Sequence, residues 1–172
     1  MQRQKAKSDE WYTPAEAVHA IESFVKPFYK VWCPFDTEDS QFVKILGGTH
    51  QVIYSHIKTG QDFFETKIDC DVIVSNPPFS KRNEVYERLF ELGKPFAMVG
   101  NMAGIFDSKN RYDMFQRNEF ELLVMYPRVK FISPDDNSLK SPTYQSCYVC
   151  HQVLPRQIMF KKLATQEETQ NE

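Results

Sequence analysis

The sequence lacks several features that would each place it in a particular class of proteins. No apolar run approaches the roughly 20 residues that a membrane-spanning helix requires, and the first ten residues, MQRQKAKSDE, are polar. We therefore expect neither a signal peptide nor a membrane anchor, and we expect a cytoplasmic location. The sequence also contains no internal repeat and no low-complexity linker. A chain of 172 residues with this organisation is typical of a single domain.

The chain also lacks a large excess of charge of either sign. Its formal net charge is -2, and 26% of its residues are charged. Proteins that coat nucleic acid usually carry a broad basic surface, because neutralisation of phosphates drives their affinity. The charge therefore argues against a coating protein, although it allows an enzyme with a local basic rim. Hydrophobic residues at 41% and aromatic residues at 14% indicate a folded globular domain.

The four cysteines, Cys33, Cys70, Cys147 and Cys150, do not suggest a disulfide framework. Together with His151, the last two spell Cys-Tyr-Val-Cys-His, which formally matches a c-type haem attachment sequence. A zinc or redox role is a further alternative. However, the segment is typical of a β-strand, in which residues three apart point to opposite faces. The pattern favours buried strand cysteines over these alternatives.

Short apolar segments typical of strands alternate with amphipathic segments typical of helices. Strands are predicted at 29–33, 51–57, 71–75, 95–99, 121–126 and 144–153. Helices are predicted from Pro14 to about Val25 with Thr13 as N-cap, at 40–46 before Gly47, at 83–92 before Gly93, and around 112–115.

This alternation predicts an α/β fold with a mostly parallel sheet and helices on both faces. The closing pair of strands after Glu119 has no clear helix between its members, which suits an antiparallel edge strand. We expect residues 1–8 to form a flexible basic arm, residues 9–162 a single domain, and residues 163–172 a polar tail.

The most informative segment is Asn76-Pro77-Pro78-Phe79, directly after the strand at 71–75. In open α/β sheets, ligands bind beyond the carboxyl ends of the strands. Two successive prolines remove two backbone N–H donors and leave carbonyl acceptors, and asparagine adds a side-chain acceptor. Acceptors beside an aromatic ring suit a planar group that carries an amine. The alternative is a simple tight turn after a strand.

Asn-Pro-Pro-Phe resembles the catalytic motif of the S-adenosylmethionine-dependent amino-methyltransferases. The resemblance implies a class I methyltransferase-like (Rossmann-like) fold. It also implies that the Asn76 side-chain oxygen and the Pro77 carbonyl accept hydrogen bonds from the target NH2, with Pro78 completing the motif. Phe79 would stack on the target base. Since no proton has to leave before attack, the site requires no strong general base.

Four upstream segments resemble the cofactor-binding elements of the same family, in the family's order. They implicate Trp11, Tyr12, Thr13 and Pro14; Pro34, Phe35 and Asp36; Ser55 and His56; and Asp62 and Phe63. By this resemblance the first group packs against the methionine end of S-adenosylmethionine. Ser55 and His56 take the place of an acidic residue for the ribose hydroxyls. Asp62 accepts from the adenine N6 amine, and Phe63 stacks on the adenine ring.

The second element departs from the common form, because Asp36-Thr-Glu-Asp stands where many relatives have Gly-x-Gly. This departure puts in question how the loop backbone approaches the cofactor. Cys-Pro-Phe-Asp followed by Ser40 and Phe42 is nevertheless similar to the EcoRI-type adenine methylase branch, which includes phage relatives. The resemblance therefore implies methylation of the adenine N6 amine in DNA, in a bacterial or phage-infected cell.

The predicted partner is duplex DNA with a flipped adenine, contacted by Lys81, Arg82 and Lys140 around the base pocket. We expect the target sequence to be recognised by loops, by the arm with Arg3, Lys5 and Lys7, or by a second subunit. The second subunit would be either another copy of the chain in a homodimer or a separate recognition subunit. The same motif also serves methylation of RNA adenine, of cytosine N4 and of protein glutamine. A non-catalytic binder of cofactor or nucleic acid, such as a phage-type decoy against restriction, is the alternative from a different class.

Overall fold

The computed structural model describes residues 11–164. The predicted basic arm, with Arg3, Lys5 and Lys7, and nearly all of the predicted polar tail lie outside the described residues. The helices are α1 (Ala15–Glu22), α2 (Gln41–Leu46), α3 (Arg82–Leu92) and α4 (Lys109–Arg117). The strands are β1 (Lys30–Cys33), β2 (Gln51–Tyr54), β3 (Val72–Ser75), β4 (Phe96–Asn101), β5 (Glu121–Tyr126), β6 (Phe131–Ile132), β7 (Leu139–Lys140), β8 (Ser146–His151) and β9 (Ile158–Lys162).

Within the described residues, the main sheet has the strand order β2-β1-β3-β4-β8-β5-β9. β8 runs antiparallel to both of its neighbours, and every other adjacent pair is parallel. The mostly parallel α/β sheet predicted from the alternating segments is confirmed. The antiparallel pair predicted after Glu119 is β5 with β8. β9, which the sequence analysis missed, pairs with β5 and extends this side of the sheet.

The helices cover both faces of the sheet, as predicted. α1 and α2 pack on one face, where Val18 and Phe42 belong to the same buried cluster as Cys150. α3 and α4 pack on the other face, where Leu89 belongs to a second buried cluster with Cys147. The two β8 cysteines therefore point into opposite layers, and the prediction of buried strand cysteines is confirmed.

Several helix ends follow the predicted residues, but the start of α1 does not. The Ser40 hydroxyl caps α2 by accepting a hydrogen bond from the Val43 N–H, and α3 ends at Gly93 with φ 62°. The prediction of Thr13 as the N-cap of α1 is wrong: Pro14 occupies that position and makes no side-chain cap. The Thr13 hydroxyl instead accepts a hydrogen bond from the side chain of Asn76, 63 residues further along the chain.

A small hairpin of β6 and β7 lies next to the N-terminal segment. Tyr12 and Ile132 exchange backbone hydrogen bonds of 3.1 and 3.0 Å, which tie residues 11–13 to this hairpin. At the other end, Leu163 is buried and donates its N–H to the Tyr126 carbonyl. Leu163 is thus packed against the fold directly after β9. No helix in the described part of the chain is long and apolar enough to cross a membrane.

Candidate active site

A cavity of about 750 Å³ opens at the carboxyl ends of β1, β2 and β3, and we call it the large cavity. Parallel strands place their carboxyl ends at one edge, so the loops after Cys33, Tyr54 and Ser75 meet there. The predicted site residues that line it are Trp11, Tyr12, Thr13, Pro34, Phe35, Asp36, His56, Asp62, Phe63, Asn76, Pro77, Pro78 and Lys81.

Five predicted site residues do not line the large cavity, and two of them are buried inside the fold. Pro14 is taken up by the start of α1. Ser55 is 1% exposed, and its hydroxyl accepts a hydrogen bond of 2.9 Å from the Trp32 indole N–H. The Ser55 carbonyl accepts from the Asp36 N–H. Ser55 therefore positions the β1 loop, and His56 alone of the predicted pair reaches the cavity.

The other three residues lie around the cavity rather than in it. Phe79 lines a second, smaller cavity together with Arg82, and its ring lies 6.3 Å from that of Tyr144. Lys140 is on β7, with its ammonium 5.9 Å from the centre of the Trp11 ring. Its pairing with Asp136 at 3.9 Å is largely exposed, which gives that ion pair little energetic weight.

The large cavity also contains residues that the sequence analysis did not predict. They are Thr37, Asp39, Ser40, Gln41, Phe42, Ile57, Lys58, Phe64, Ser80, Ile132 and Asn137. Most of them directly follow a predicted element, so extending each motif by a few residues would have found them. Ile132 and Asn137 come from the β6–β7 hairpin, which carries no comparable signal.

Asn76 is oriented by the segment before α1. Its amide nitrogen donates to the Trp11 carbonyl at 3.0 Å and to the Thr13 hydroxyl at 3.1 Å. Its side-chain oxygen Oδ1 is buried and has no hydrogen-bond partner among the described residues. A buried acceptor without a partner costs free energy, so this oxygen is suited to accept a hydrogen bond from a ligand. Both amide hydrogens are committed, which fixes the direction in which Oδ1 points.

Asp36 places a buried carboxyl group in the wall of the large cavity. The residue is 8% exposed and accepts a hydrogen bond from the Ser75 hydroxyl. Burial raises the pKa of Asp36 from 3.8 to about 6, and hydrogen bonds from Ser75 and Ser40 offset part of this rise. Ser75 in turn accepts from the Phe35 N–H. The first residue after Pro34-Phe35 is therefore tied to the end of β3.

Aromatic rings form the apolar wall. The Phe63 ring lies 4.9 Å from Phe35, 5.4 Å from Phe64 and 5.6 Å from Trp32. Asp62 fixes this turn by accepting the Phe64 N–H at 3.0 Å. The Lys81 ammonium lies 5.4 Å from the Phe64 ring centre. Phe64 is partly exposed whereas Phe63 is 2% exposed, so Phe64 offers the more accessible ring.

The residues of the large cavity fit S-adenosylmethionine, the cofactor that the resemblance implies. The volume of the cavity lies within the range of small-molecule and cofactor sites, roughly 300–1,000 Å³. Apolar rings at Phe35 and Phe64 suit an adenine ring, and the Asp36 carboxyl suits a cationic group. The unpartnered oxygen of Asn76 remains for a second ligand beside it.

The chain is similar to several known proteins. A family model described as adenine-specific methyltransferase EcoRI matches residues 51–152. The precorrin-6y C5,15-methyltransferase of Geobacter metallireducens has a similar structure, with a TM-score of 0.52 at 9% identity over 84% of this chain and 91% of that chain. A modification subunit of a putative type I restriction enzyme from Vibrio vulnificus aligns at 12% identity over 92% of this chain and 48% of that chain, with a TM-score of 0.49.

No curated protein matches the sequence. The structural likeness to the Geobacter enzyme confirms the class I methyltransferase fold. The family match covers more than half of the 172 residues, including β2, β3 and the Asn-Pro-Pro-Phe segment. The chain therefore belongs to the EcoRI family of adenine-specific methyltransferases and is an S-adenosylmethionine-dependent methyltransferase.

Proposed function

We propose that the protein transfers a methyl group from S-adenosylmethionine to the N6 amine of an adenine in DNA, with the adenine flipped out of the duplex. The observation that carries the proposal is the state of Asn76. Its amide nitrogen is held by Trp11 and Thr13, and its Oδ1 is buried in the cavity wall without a partner among the described residues. An amine N–H supplies the donor that this oxygen lacks.

The role of the chain is to hold and polarise the amine. Asn76 Oδ1 and the Pro77 carbonyl accept its two N–H groups, which directs the nitrogen lone pair away from the ring and towards the cofactor. Bound S-adenosylmethionine would supply an electrophilic methyl group and would leave as S-adenosylhomocysteine, which keeps the electron pair of the broken S–CH3 bond. As the nitrogen becomes positively charged, both acceptors bind it more strongly than in the ground state, which is the condition for accelerating the reaction. The proton then leaves to solvent.

DNA as the substrate is supported by the adenine specificity in the family's description and by the cations beside the cavity. Lys81 lines the large cavity, and Arg82 and Lys140 flank it. An adenine inside a duplex cannot reach Asn76, so it must be flipped out, which costs a few kcal/mol. With a net charge of -2, we expect few phosphate contacts and a shallow dependence of affinity on salt.

The direct test is incubation of the purified protein with methyl-labelled S-adenosylmethionine and, separately, duplex DNA, RNA and protein. We expect label in DNA, recovered as N6-methyladenine after digestion to nucleosides. Asn76→Ala serves as the matched negative control, since it should bind cofactor without transferring methyl groups. Label in RNA or glutamine would overturn the substrate, and cofactor binding without transfer to any substrate would identify a non-catalytic binder.

A further inference from the structure

A second cavity, which we call the small cavity, lies next to the large one and is lined by Phe79. Its volume is about 180 Å³, and its lining consists of Phe79, Ser80, Arg82, Asn83, Glu84 and Arg111. Ser80 lines both cavities, so the two are direct neighbours. The family resemblance and the cofactor assign no role to the small cavity. The composition of its lining differs from that of the large cavity, because two of its six residues are arginines.

Arg111 is a rigid part of this lining. The residue is 8% exposed, and its guanidinium donates to the Ile105 carbonyl at 3.0 Å, the Gly104 carbonyl at 2.8 Å and Asn83 Oδ1 at 2.6 Å. A guanidinium has five N–H groups, so two of them have no acceptor within residues 11–164. Arg111 therefore places a positive charge, held in position by three hydrogen bonds, in the lining of the small cavity.

The charge balance of the small cavity favours an anion. The pKa of Arg111 is lowered first by burial and then by the positive charge of Arg82, and Asp107 offsets this only in part. The first turn of α3 adds backbone N–H groups at the same place, and its N-cap residue Lys81 makes no side-chain cap. Glu84 is the opposing charge, and it is exposed. An anion between the two arginines would relieve their repulsion.

We propose that the small cavity binds a phosphate group of the DNA strand beside the flipped nucleotide. The inference rests on the proposed function. The place of the phosphate site next to the base site follows from the order of residues along the chain. Pro78 lines the large cavity, and the next residue, Phe79, lines the small one. An adenine held by its N6 amine at Asn76 carries its sugar and flanking phosphates at the far end of the nucleotide, so a phosphate site in a separate cavity next to the large one is compatible with a base in the large one. Arg82 and Arg111 then fix the strand relative to Asn76.

The first experiment uses inorganic phosphate alone and so does not depend on DNA methylation. Phosphate added to the isotopically labelled protein should shift the side-chain Nε–H resonances of Arg82 and Arg111 with saturation in the millimolar range. Arg82→Ala should weaken this binding about tenfold, as expected for loss of a charge-assisted hydrogen bond. Glu84→Gln should strengthen it, because the opposing charge is removed. Arg117→Ala, on the exposed end of α4, is the matched control and should change nothing.

The second experiment replaces single phosphates around the target adenine with neutral methylphosphonates. One position should weaken binding of the wild-type protein about tenfold and have no further effect on Arg82→Ala, whereas other positions should affect both proteins equally. Methyl transfer is measured in the same samples. DNA methylation without phosphate-induced shifts and without such a coupled position would overturn the inference while the proposed function stands. Phosphate binding without DNA methylation would support the anion site and overturn the proposed function.

Discussion

Two cavities of opposite chemistry lie on either side of one short stretch of chain, residues 76–82. The large cavity is walled by aromatic rings such as Phe35 and Phe64 and contains one buried carboxyl, that of Asp36. The small cavity, a quarter of that size, is lined by Arg82 and Arg111. A nucleotide likewise has two unlike ends, a planar base and a charged phosphate. Residues 76–82 thus separate a large cavity, whose rings and carboxyl suit the cofactor and whose Asn76 suits the target base, from a small cationic cavity that suits a phosphate.

The largest expected effect comes from Asn76→Ala, which removes the acceptor at the wall of the large cavity. Loss of one preorganised hydrogen bond of this kind typically lowers turnover by about 10²–10³. Because Asn76 contacts the target amine in the proposed mechanism, cofactor affinity should remain near that of the wild type. Single-turnover methyl transfer and calorimetry with the cofactor measure the two quantities. Turnover near wild type would mean that Asn-Pro-Pro-Phe is only a turn.

Asp36→Asn tests whether burial raises the pKa of the carboxyl group in the wall of the large cavity. Between pH 3.8 and about 6 the folded protein holds a proton on Asp36 that the unfolded chain releases. Stability from this group therefore falls as pH rises through that interval, by roughly 3 kcal/mol in total. Asparagine does not titrate, so the variant does not lose this stability. The free energy of unfolding of the variant minus that of the wild type should therefore increase as the pH rises from 3.8 to about 6. Urea unfolding across this pH range measures the difference, and a constant difference would contradict the raised pKa.

Phe79→Ala removes an aromatic ring that lines the small cavity, next to the large one. Stacking of a base on an aromatic ring contributes about 1–3 kcal/mol, so binding of a duplex should weaken by that amount. A mismatched target adenine is already easy to flip, and the loss should be smaller there. Cofactor binding should not change, since Phe79 does not line the large cavity. Equal losses for matched and mismatched duplexes, measured by fluorescence anisotropy, would argue against stacking on the flipped base.

Thr13→Val should have the smallest effect, because it removes one of the two acceptors that orient the Asn76 amide. The loss of one neutral hydrogen bond costs about 1 kcal/mol, which corresponds to a roughly fivefold lower turnover. Thr13→Ser keeps the hydroxyl and should restore the rate. A purely structural role would predict equal thermal destabilisation with unchanged turnover. Melting curves and turnover measured on both variants separate these outcomes.

The sequence predicted the elements whose signals are local. β3 is a run of β-branched residues closed by Asn-Pro-Pro, so both the strand and the place of its loop at the sheet edge followed from periodicity and turn chemistry. Gly93 ended α3 for the same kind of reason, since it adopts the left-handed conformation that glycine favours.

The contacts that complete the site could not be predicted from local signals. Thr13 and Asn76 are 63 residues apart, and only the folded sheet brings the hydroxyl to the amide. The strands β6 and β7 have two residues each, too short to show a period. The burial of Arg111 depends on the carbonyls of residues 104 and 105, which accept its guanidinium N–H groups. These are tertiary interactions, which outweigh local propensity.

The arrangement of β8 also provides the molecule with two internal chemical reporters. Burial raises the pKa of the Cys150 thiol, and it raises that of Cys147 to about 12. Thiolates, rather than thiols, react with alkylating reagents, so both residues are inert in the native protein. Cys147 belongs to the buried cluster that includes residues of α3 and α4, and Cys150 to the cluster that includes residues of α1 and α2. The two alkylation rates therefore report the opening of each buried layer separately. Equal rates at both positions would mean that the layers leave the sheet together, in one cooperative opening.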